Sequence, residues 1–186
     1  MTHPSNTKPR VLIIGGPDVE QRLELMRRMQ ISFELSAAGS DPSKGALFES
    51  SGFAFHPYHL SRRANPFDDV RTFLALAGII GRERPQLVHA FATKPSVWGS
   101  LAAAARGVPV IVGTLPGLGS LYTTAGKGAY AVRWLYELLQ RRACHASQMT
   151  LFQNHHDLDE FVRRGVALAQ QARVIPGSGV QTEYFS

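Results

Sequence analysis

One stretch of this chain, residues 89–121, concentrates the groups that could bind or transform a ligand. They are His89, Thr93, Lys94 and the turn formed by Gly117, Leu118 and Gly119. The His89 imidazole can hydrogen-bond a ligand, or act as a base if its pKa stays near neutral; a purely structural role is the alternative. Thr93 and Lys94 stand at the mouth of a predicted helix, whose free N–H groups and dipole attract phosphate, although a solvated lysine is also typical there. The glycine turn lets a bulky ligand approach the main chain, but an ordinary turn needs the same residues.

Short apolar runs alternate with helical patterns along the chain and would position these groups. The predicted strands lie in "RVLIIGG", "ISFELSAA", "GFAFHPY", "PQLVHA", "VPVIVGT", "MTLF" and "ARVIPGSGV". Continuous apolar runs are typical of parallel strands that are buried on both faces. We therefore predict an α/β fold with a Rossmann-like, doubly wound, mainly parallel sheet of about seven strands and helices on both faces. Ligands of such sheets bind outside the carboxyl ends of the strands.

Capping residues and glycines mark the helices between these strands. Asn65 is a predicted N-cap, with Pro66 in the first helical position and an apolar stripe behind it. That predicted stripe consists of Val70, Phe73, Leu74, Ala77 and Ile80. The other predicted helices run from Pro17 through Gln30, from Lys94 to an end at Gly107, from about Lys127 to Cys144, and from the cap Asn154 to Gly165.

The long helix that begins near Lys127 has two apolar faces. Its expected core stripe is Val132, Leu135, Tyr136 and Leu139. A second stripe, about 150° away at about 100° per residue, consists of Lys127, Tyr130, Trp134, Leu138 and Arg141. Aromatic and basic side chains suit the headgroup region of an anionic membrane, so these residues are candidates to face one. Coverage by other parts of the fold, or by another domain, is the alternative.

Composition indicates a globular protein with anionic partners. The 186 residues are 44% hydrophobic, which suits one domain with a sizeable core. The formal net charge of +6 favours phosphates or acidic lipid, and nucleic acid is not an expected partner because no recognised binding module is present. The single cysteine, Cys144, excludes an internal disulfide and is predicted to lie in the core. No apolar run reaches the roughly 18 residues of a membrane span, and "MTHPSNTKP" lacks an apolar signal segment.

Several cofactor and catalytic motifs are missing from the sequence. Gly15 and Gly16 follow the first strand but are adjacent, so they do not form the G-x-G-x-x-G turn of a dinucleotide site. No glycine stands at P-loop spacing before a Lys-Ser/Thr pair, and no serine occupies a nucleophile elbow. The histidines lack the spacing of zinc ligands, so we expect no metal.

Three segments, taken in order, resemble a known enzyme family. They are "HAFATKPSVWGSLAAAARGVPVIVGTLPGLGSLYTTAG", "LFQNHHDLDEFVRRG" and "VIPGSGV". The similarity spans roughly residues 10–185 and is to the N-terminal half of bacterial family-4 glycosyltransferases, which have the GT-B fold. It is particularly to those that add a sugar to an undecaprenyl-diphosphate-linked sugar in O-antigen, capsule or protein-glycan assembly.

The resemblance implies a division of roles between two domains. Residues 1–9 would be a polar tail, and residues 10–186 would form the Rossmann-like acceptor-binding domain of a GT-B enzyme. The nucleotide-sugar donor would bind mainly to a C-terminal domain absent from this chain, where family members carry an E-x7-E motif. Gly15 and Gly16 would approach the donor phosphates, whereas His89, Lys94 and Gly117–Gly119 would line the acceptor side. The fragment alone is expected to be inactive.

For the intact enzyme, the resemblance implies transfer of a hexose or N-acetylhexosamine from a nucleotide sugar to a lipid-diphosphate-linked saccharide, with retention of anomeric configuration. It implies a cytoplasmic location, peripheral to the inner face of the cytoplasmic membrane. Phe91 stands where many relatives have a histidine, which leaves the catalytic histidine open with His89 as the candidate, and Gln181 replaces an aspartate. A non-catalytic Rossmann-type module that binds an anion or a sugar is the alternative.

Overall fold

A computed structural model describes residues 8–61, 65–117 and 129–177, with the backbone alone for residues 129–133. Its strands are β1 (Arg10–Ile14), β2 (Glu34–Gly39), β3 (Ala54–Pro57), β4 (Leu87–Phe91), β5 (Val110–Leu115), β6 (Met149–Phe152) and β7 (Ala172–Val174). Its α-helices are α1 (Leu23–Met29), α2 (Gly45–Ser50), α3 (Pro66–Glu83), α4 (Thr93–Ala105), α5 (Ala129–Ala146) and α6 (His155–Arg163). Short 3-10 helices at Val19–Arg22 and Pro42–Lys44 precede α1 and α2.

The strands form one sheet in the order β3-β2-β1-β4-β5-β6-β7, and every neighbouring pair is parallel. The chain adds β2 and β3 on one side of β1, then returns to add β4 to β7 on the other side. The connections that leave β1 and β4 therefore run in opposite directions, which creates a topological switch point between these two strands. The predicted doubly wound sheet of seven parallel strands is confirmed.

Helices cover the two faces of the sheet because successive side chains of a strand point to opposite faces. On one face, Val11 and Ile13 of β1 pack against α1 and α2. On the other face, Leu12 and Ile14 pack beneath α3 and α4. Leu115 of β5 belongs to a third cluster, beneath α5 and α6.

The ends of several helices agree with the prediction. The side chains of Asn65 and Asn154 accept hydrogen bonds from backbone N–H groups in the first turns of α3 and α6. Gly107 and Gly165 have φ values of +67° and +66° just after α4 and α6. Glycine adopts this left-handed conformation without the steric cost that a Cβ would impose, so these residues end the helices.

The region between β1 and β3 differs from the prediction in two ways. The single helix predicted from Pro17 through Gln30 is divided, because a 3-10 helix at Val19–Arg22 precedes α1. This tighter turn places the buried Val19 side chain against Gly15 and Gly39. The short helix α2 between β2 and β3 was not predicted, since its six residues are too few to show a helical period.

Helix α3 buries only part of the stripe that its apolar pattern predicts: Ala77 and Ile80 are buried and Phe73 packs against the core. Two members of the predicted stripe, Val70 and Leu74, are exposed. The buried face includes Asp69 and Thr72, whose polar atoms have partners inside the protein. Thr72 donates a hydrogen bond to the carbonyl of His59 at 2.8 Å. These polar contacts fix the rotation of the helix, which a hydrophobic pattern alone does not show.

Helix α5 forms where it was predicted, but one member of its core stripe is misplaced. Tyr136 is buried and Leu139 is partly buried, as predicted, whereas Leu135 is exposed. The Val132 side chain lies outside the described residues. The Tyr136 hydroxyl donates a hydrogen bond to Asp69 of α3, and this contact fixes which side of α5 faces inward.

The single cysteine lies in the core, as predicted. Cys144 is buried between α5 and the sheet, and burial raises its pKa to about 11. A thiol with such a high pKa is almost wholly protonated at neutral pH and is therefore unreactive.

Close packing at Gly39 gives a test of the fold. A Cβ at Gly39 would lie 2.5 Å from Val19 Cγ1 and 3.0 Å from the Phe55 ring. We expect Gly39→Ala to lower the free energy of unfolding by about 1–3 kcal/mol through overpacking. In helix α3, Gly78→Ala is the control, because its Cβ would meet only Arg82 Nη1 at 4.0 Å. That variant should gain about 0.5–1 kcal/mol from helix propensity, and equal effects of the two variants in urea unfolding would contradict this packing.

Candidate functional site at the sheet switch point

The carboxyl ends of β1, β4 and β5 and the residue after β6 border a crevice of about 180 Å³. Its walls consist of Gly15, Asp18, Val19, Gln21, Arg22, Phe91, Ala92, Thr114, Pro116 and Gln153. A larger hollow of about 360 Å³ lies at the opposite end of the sheet, beside Arg84 and Arg106. Ligands of open parallel sheets bind at the carboxyl ends of the strands, beside a switch point, so the smaller crevice is the candidate site.

The turn after β1 forms one wall of this crevice. Gly15 N donates a hydrogen bond to the carbonyl of Ala38 at 2.9 Å, and the Gly15 carbonyl accepts one from the buried Tyr58 hydroxyl at 2.7 Å. A Cβ at Gly15 would lie 2.7 Å from the Val19 side chain, so only glycine fits without a shift. The structure thus places Gly15 in the crevice wall, whereas Gly16, the next residue of the turn, is not among the lining residues. Their predicted contact with donor phosphates stays a prediction.

Ala92 joins β4 to α4 in a conformation that side chains rarely adopt. Its φ of 72° and ψ of 160° fall in a region populated almost entirely by glycine. Its N–H donates to the carbonyl of Thr114 at 3.1 Å, and its carbonyl accepts from Ser96 N at 2.9 Å. Strain of this kind costs on the order of 1–3 kcal/mol, and here it lies in the crevice wall. No sequence pattern indicates this strain, since the residue is alanine.

His89 lies in β4, on the same face of the sheet as Ile13 of β1 and Val112 of β5. Its Nε2 is 2.8 Å from Thr114 Oγ1, and its ring stacks on Phe91 at 4.0 Å between centroids. The Arg22 guanidinium lies 4.8 Å from the centre of the same Phe91 ring. Phe91, Thr114 and Arg22 line the crevice, so His89 stands behind its wall and supports it.

Burial sets the protonation state of His89. Desolvation, with a further contribution from the positive charge of Arg22, lowers its pKa to about 4. The ring is therefore neutral at physiological pH, and it is a weaker base than a histidine with a pKa near 7. The proposed condition for a general base, a pKa near neutrality, is not met. A catalytic role of His89 stays a prediction, and its geometry favours positioning of Thr114 and Phe91.

Lys94 is engaged in a buried ion pair. Its Nζ lies 2.9 Å from Asp69 Oδ1 and donates to the carbonyl of Ser61 at 3.0 Å. The Lys94 and Asp69 side chains are only 11% and 6% exposed. Tyr136 donates a hydrogen bond to the other carboxylate oxygen of Asp69, and its ring lies 5.5 Å from Lys94 Nζ. This cluster joins α3, α4 and α5.

Thr93 and Lys94, the residues of α4 that were predicted to bind phosphate together, therefore lie in different surroundings from each other. Thr93 is the first residue of the helix and is partly buried at the carboxyl rim of the sheet. Lys94 is not among the residues that line the crevice. The structure does not bring Lys94 together with Gly15, and phosphate binding by Thr93 and Lys94 stays a prediction.

The glycine turn after β5 approaches the start of α6. A Cβ at Gly117 would lie 3.7 Å from Asp157 Oδ2, which is an ordinary contact distance. Leu118 and Gly119, the other predicted members of this turn, lie outside the described residues. Gln153, the residue after β6, lines the crevice. It belongs to the segment "LFQNHHDLDEFVRRG", which carries part of the family resemblance, but its type and spacing gave no indication of a role.

The residues predicted to face a membrane can be placed only in part. Trp134 is 68% exposed, Arg141 is exposed and Leu138 is partly buried. Lys127 and the Tyr130 side chain lie outside the described residues. Among the helices that the structure describes, none is both long and apolar enough to cross a bilayer. Contact of this face with a membrane stays a prediction.

A metal site does not emerge from the described parts of the chain. Within them, no three His, Cys, Asp or Glu side chains are grouped so that they could hold a metal ion. The prediction that no metal is required is not tested by this observation. The crevice therefore offers main-chain groups, one arginine, one aspartate and neutral polar side chains as its chemistry.

Fold and crevice together define a Rossmann-like domain with a candidate site at its switch point. Residues 16–177 match the glycosyl transferase 4-like domain family, and the chain belongs to that family. It is 25% identical over 166 residues to the Escherichia coli UDP-Gal:alpha-D-GlcNAc-diphosphoundecaprenol alpha-1,3-galactosyltransferase. This match covers 89% of the chain and 41% of the relative, so the chain spans less than half the length of that enzyme. The predicted family resemblance is confirmed.

Solved structures confirm the fold and also show how widely it is used. A glycosyltransferase from Rickettsia africae superposes with a TM-score of 0.67 at 14% identity, covering 96% of this chain and 45% of that one. A UDP-GlcNAc 2-epimerase from Methanocaldococcus jannaschii superposes with a TM-score of 0.62 at 15% identity, covering 89% of this chain and 46% of that one. At such identities the likeness shows the fold alone, here that of one half of a GT-B protein.

The lowered pKa of His89 predicts a pH dependence of stability. The unfolded chain takes up a proton near the ordinary pKa of 6.5, whereas the folded protein does so only near 4. The free energy of unfolding therefore decreases as the pH falls from 6.5 to about 4. The contribution of His89 to this decrease is roughly 2–3 kcal/mol. In urea unfolding, the His89→Gln variant should lose less free energy of unfolding between these pH values than the unaltered chain does. An NMR titration that gives His89 a pKa near 6.5 would contradict the burial described here.

The buried ion pair predicts a second stability effect. Asp69→Asn leaves the Lys94 ammonium buried without its counter-charge, so we expect the free energy of unfolding to fall by about 3–5 kcal/mol. Tyr136→Phe keeps the ion pair and removes one hydrogen bond, and should cost only about 1–2 kcal/mol. Thermal or urea unfolding of the two variants measures the difference. A loss in Asp69→Asn no larger than in Tyr136→Phe would show that the pair is not buried as described.

Proposed function

We propose that this chain is the acceptor-binding domain of a glycosyltransferase that acts on a lipid-diphosphate-linked saccharide. The observation that carries the proposal is the crevice at the switch point of a domain that belongs to the glycosyl transferase 4-like family. The Escherichia coli relative, by its name, transfers galactose from UDP-Gal to a GlcNAc that is linked to diphosphoundecaprenol. We infer a related reaction here, with a hexose or N-acetylhexosamine as the transferred sugar and a role in surface polysaccharide assembly.

In the proposed reaction, the bond from the sugar C1 to the nucleotide diphosphate breaks, and a bond from C1 to an acceptor hydroxyl oxygen forms. The hydroxyl proton is lost, and we propose that the configuration at C1 is retained. Negative charge develops on the departing diphosphate, so its stabilisation is the main catalytic requirement. Main-chain N–H groups of the turn that follows Gly15 and the Arg22 guanidinium at the crevice could supply this stabilisation.

The size of the crevice supports participation of a second domain. Sites for small molecules usually enclose about 300–1,000 Å³, whereas this crevice encloses about 180 Å³. The relatives described above are more than twice as long as the part that this chain matches. We propose that a C-terminal domain provides most of the donor site and that no metal takes part. We also propose a cytoplasmic location at the inner face of the membrane.

The test is glycosyl transfer by the protein that contains this chain together with its donor-binding domain. We expect a glycosidic product from a nucleotide sugar and an undecaprenyl-diphosphate-linked sugar in detergent. Arg22→Met should lower kcat by about 10²–10³ if its charge stabilises the diphosphate. Arg28→Met is the matched control, because Arg28 is exposed on α1, pairs with Glu24 and does not line the crevice. Saturable binding of a nucleotide sugar or saccharide without any product would favour the non-catalytic module instead.

A further inference from the structure

The larger hollow, at the amino end of the sheet, lies between two turns of the same kind. Helices α3 and α4 pack on the same face of the sheet, and the turns after them lead into the neighbouring strands β4 and β5. Val110 N donates a hydrogen bond to the carbonyl of Gln86 at 3.1 Å, which holds the two turns together. Each turn begins with an arginine, Arg84 after α3 and Arg106 after α4. The ends of two helices therefore bring two cations to one hollow.

The space between these turns is large enough to hold a small molecule. Its volume is about 360 Å³, whereas sites for small molecules usually enclose about 300–1,000 Å³. We call it the arginine hollow, and it is lined by Arg84 and Arg106 together with the apolar residues Ile80, Pro85 and Val108. The apolar side chains are buried and the two arginines are exposed, so the hollow has an apolar floor and a charged rim.

The two arginines of the hollow are without a counter-charge. Neither the Arg84 nor the Arg106 side chain makes a hydrogen bond or an ion pair with another residue that the structure describes. No acidic side chain is among the described residues that line the hollow. Glu83, which precedes Arg84, has its carboxylate 3.1 Å from Nε2 of His56 in β3. Two positive charges at one hollow favour an anion between them.

The backbone at positions 81 and 84 is suited to hold these arginines. Arg84 has φ 46° and ψ 55°, a left-handed conformation that glycine adopts without the steric cost of a Cβ. Gly81 lies within α3, where alanine would favour the helix more. A Cβ at Gly81 would lie 3.4 Å from both Cζ and Nη1 of Arg106, so a side chain longer than alanine would displace the guanidinium. Both residue choices are unfavourable for the helix end, and both bring a guanidinium to the hollow.

Attraction to the helix dipoles is the ordinary role of cations at helix ends. At the end of α4, however, Gly107 N and Val108 N already donate hydrogen bonds to the carbonyls of Ala104 and Ala103. The Arg106 guanidinium lies instead beside Gly81 of the other helix. Capping of α4 therefore does not account for the position of this side chain.

We propose that the arginine hollow binds an organic phosphate monoester. Such a group carries a charge of about −1.5 to −2 at neutral pH, which matches two arginines, whereas a carboxylate would leave one positive charge uncompensated. Planar guanidinium groups donate paired hydrogen bonds to phosphate oxygens, and the apolar floor accepts the organic part of the ligand. The hollow and the crevice lie at opposite ends of the sheet, so the inference does not rest on the proposed function.

Three small probes test the charge and the apolar part of the proposed ligand. They are phenyl phosphate, inorganic phosphate and benzoate, added to the 186-residue chain at low salt, where exposed arginines are least screened. We expect phenyl phosphate to bind at least about threefold more tightly than either of the others, because it alone has both a dianion and an apolar ring. Equal binding of phenyl phosphate and benzoate would overturn the proposal.

NMR shifts of main-chain amides show where phenyl phosphate binds. The signals of Gly81, Gly107 and Val108 should move in a saturable way and give the Kd of the arginine hollow. Shifts confined to Gly15 and Arg22 would place the probe in the crevice instead and would overturn the proposal.

Two variants and a matched control test the arginines. Arg106→Gln and Arg84→Gly should each weaken phenyl phosphate binding at least about tenfold, because each removes charged hydrogen bonds to the phosphate. Arg82→Gln is the control, since Arg82 is exposed in the last turn of α3 but does not line the hollow. It lowers the net charge by the same amount and should bind nearly as the unaltered chain does. Equal losses in Arg82→Gln and Arg106→Gln would show that general charge alone attracts the probe, and would overturn the proposal.

Arg84→Gly also separates ligand binding from stability. Glycine accepts the left-handed conformation at this position, so the variant should unfold at the same urea concentration as the unaltered chain or at a higher one. Loss of phenyl phosphate binding without loss of stability is the expected result. A lower urea midpoint with unchanged binding would assign the Arg84 side chain to the stability of the fold and overturn the proposal.

Discussion

The hydrogen bonds of the parallel sheet continue past the ends of its strands, and the crevice depends on this continuation. Gly15 N donates to Ala38 O after β1, and Ala92 N donates to Thr114 O after β4. The turns that form the crevice walls are therefore held by ladder-type bonds at both sides of the switch point. Tyr58 adds a hydrogen bond to the Gly15 carbonyl from a buried hydroxyl. Because these main-chain groups are paired within the fold, the crevice is preorganised, and the strain at Ala92 is maintained by bonds on both of its peptide groups.

A buried carboxylate links this rim to the outer surface of the helices. Asp69 faces inward because Lys94 and Tyr136 both reach it, and the ion pair and the hydrogen bond together offset its desolvation. On a helix, turning one residue inward decides which of its neighbours remain outside. Val70 and Leu74 are exposed for this reason, although their spacing matches a core stripe. The ion pair, which joins three helices in the interior, thus determines which apolar residues of α3 remain exposed to solvent.

Sequence patterns predicted those features that depend on one residue and its neighbours along the chain. The caps at Asn65 and Asn154, the end of α4 at Gly107 and the seven apolar strands are of this kind. Features that depend on distant partners were not predictable. Lys94 reads as a surface cation until Asp69, which is 25 residues away, is seen beside it. His89 was correctly placed in the fourth strand, but its lowered pKa depends on burial behind a wall that the fold assembles from three strands.

The crevice and the buried ion pair involve opposite helical layers of the sheet. The crevice opens beside the 3-10 helix at Val19–Arg22, on the side of α1, whereas Lys94, Asp69 and Tyr136 join α3, α4 and α5. The layer opposite α1 is therefore held together by side-chain contacts that do not line the crevice. The proposed second domain could close over the crevice from the side of α1 without disturbing these contacts.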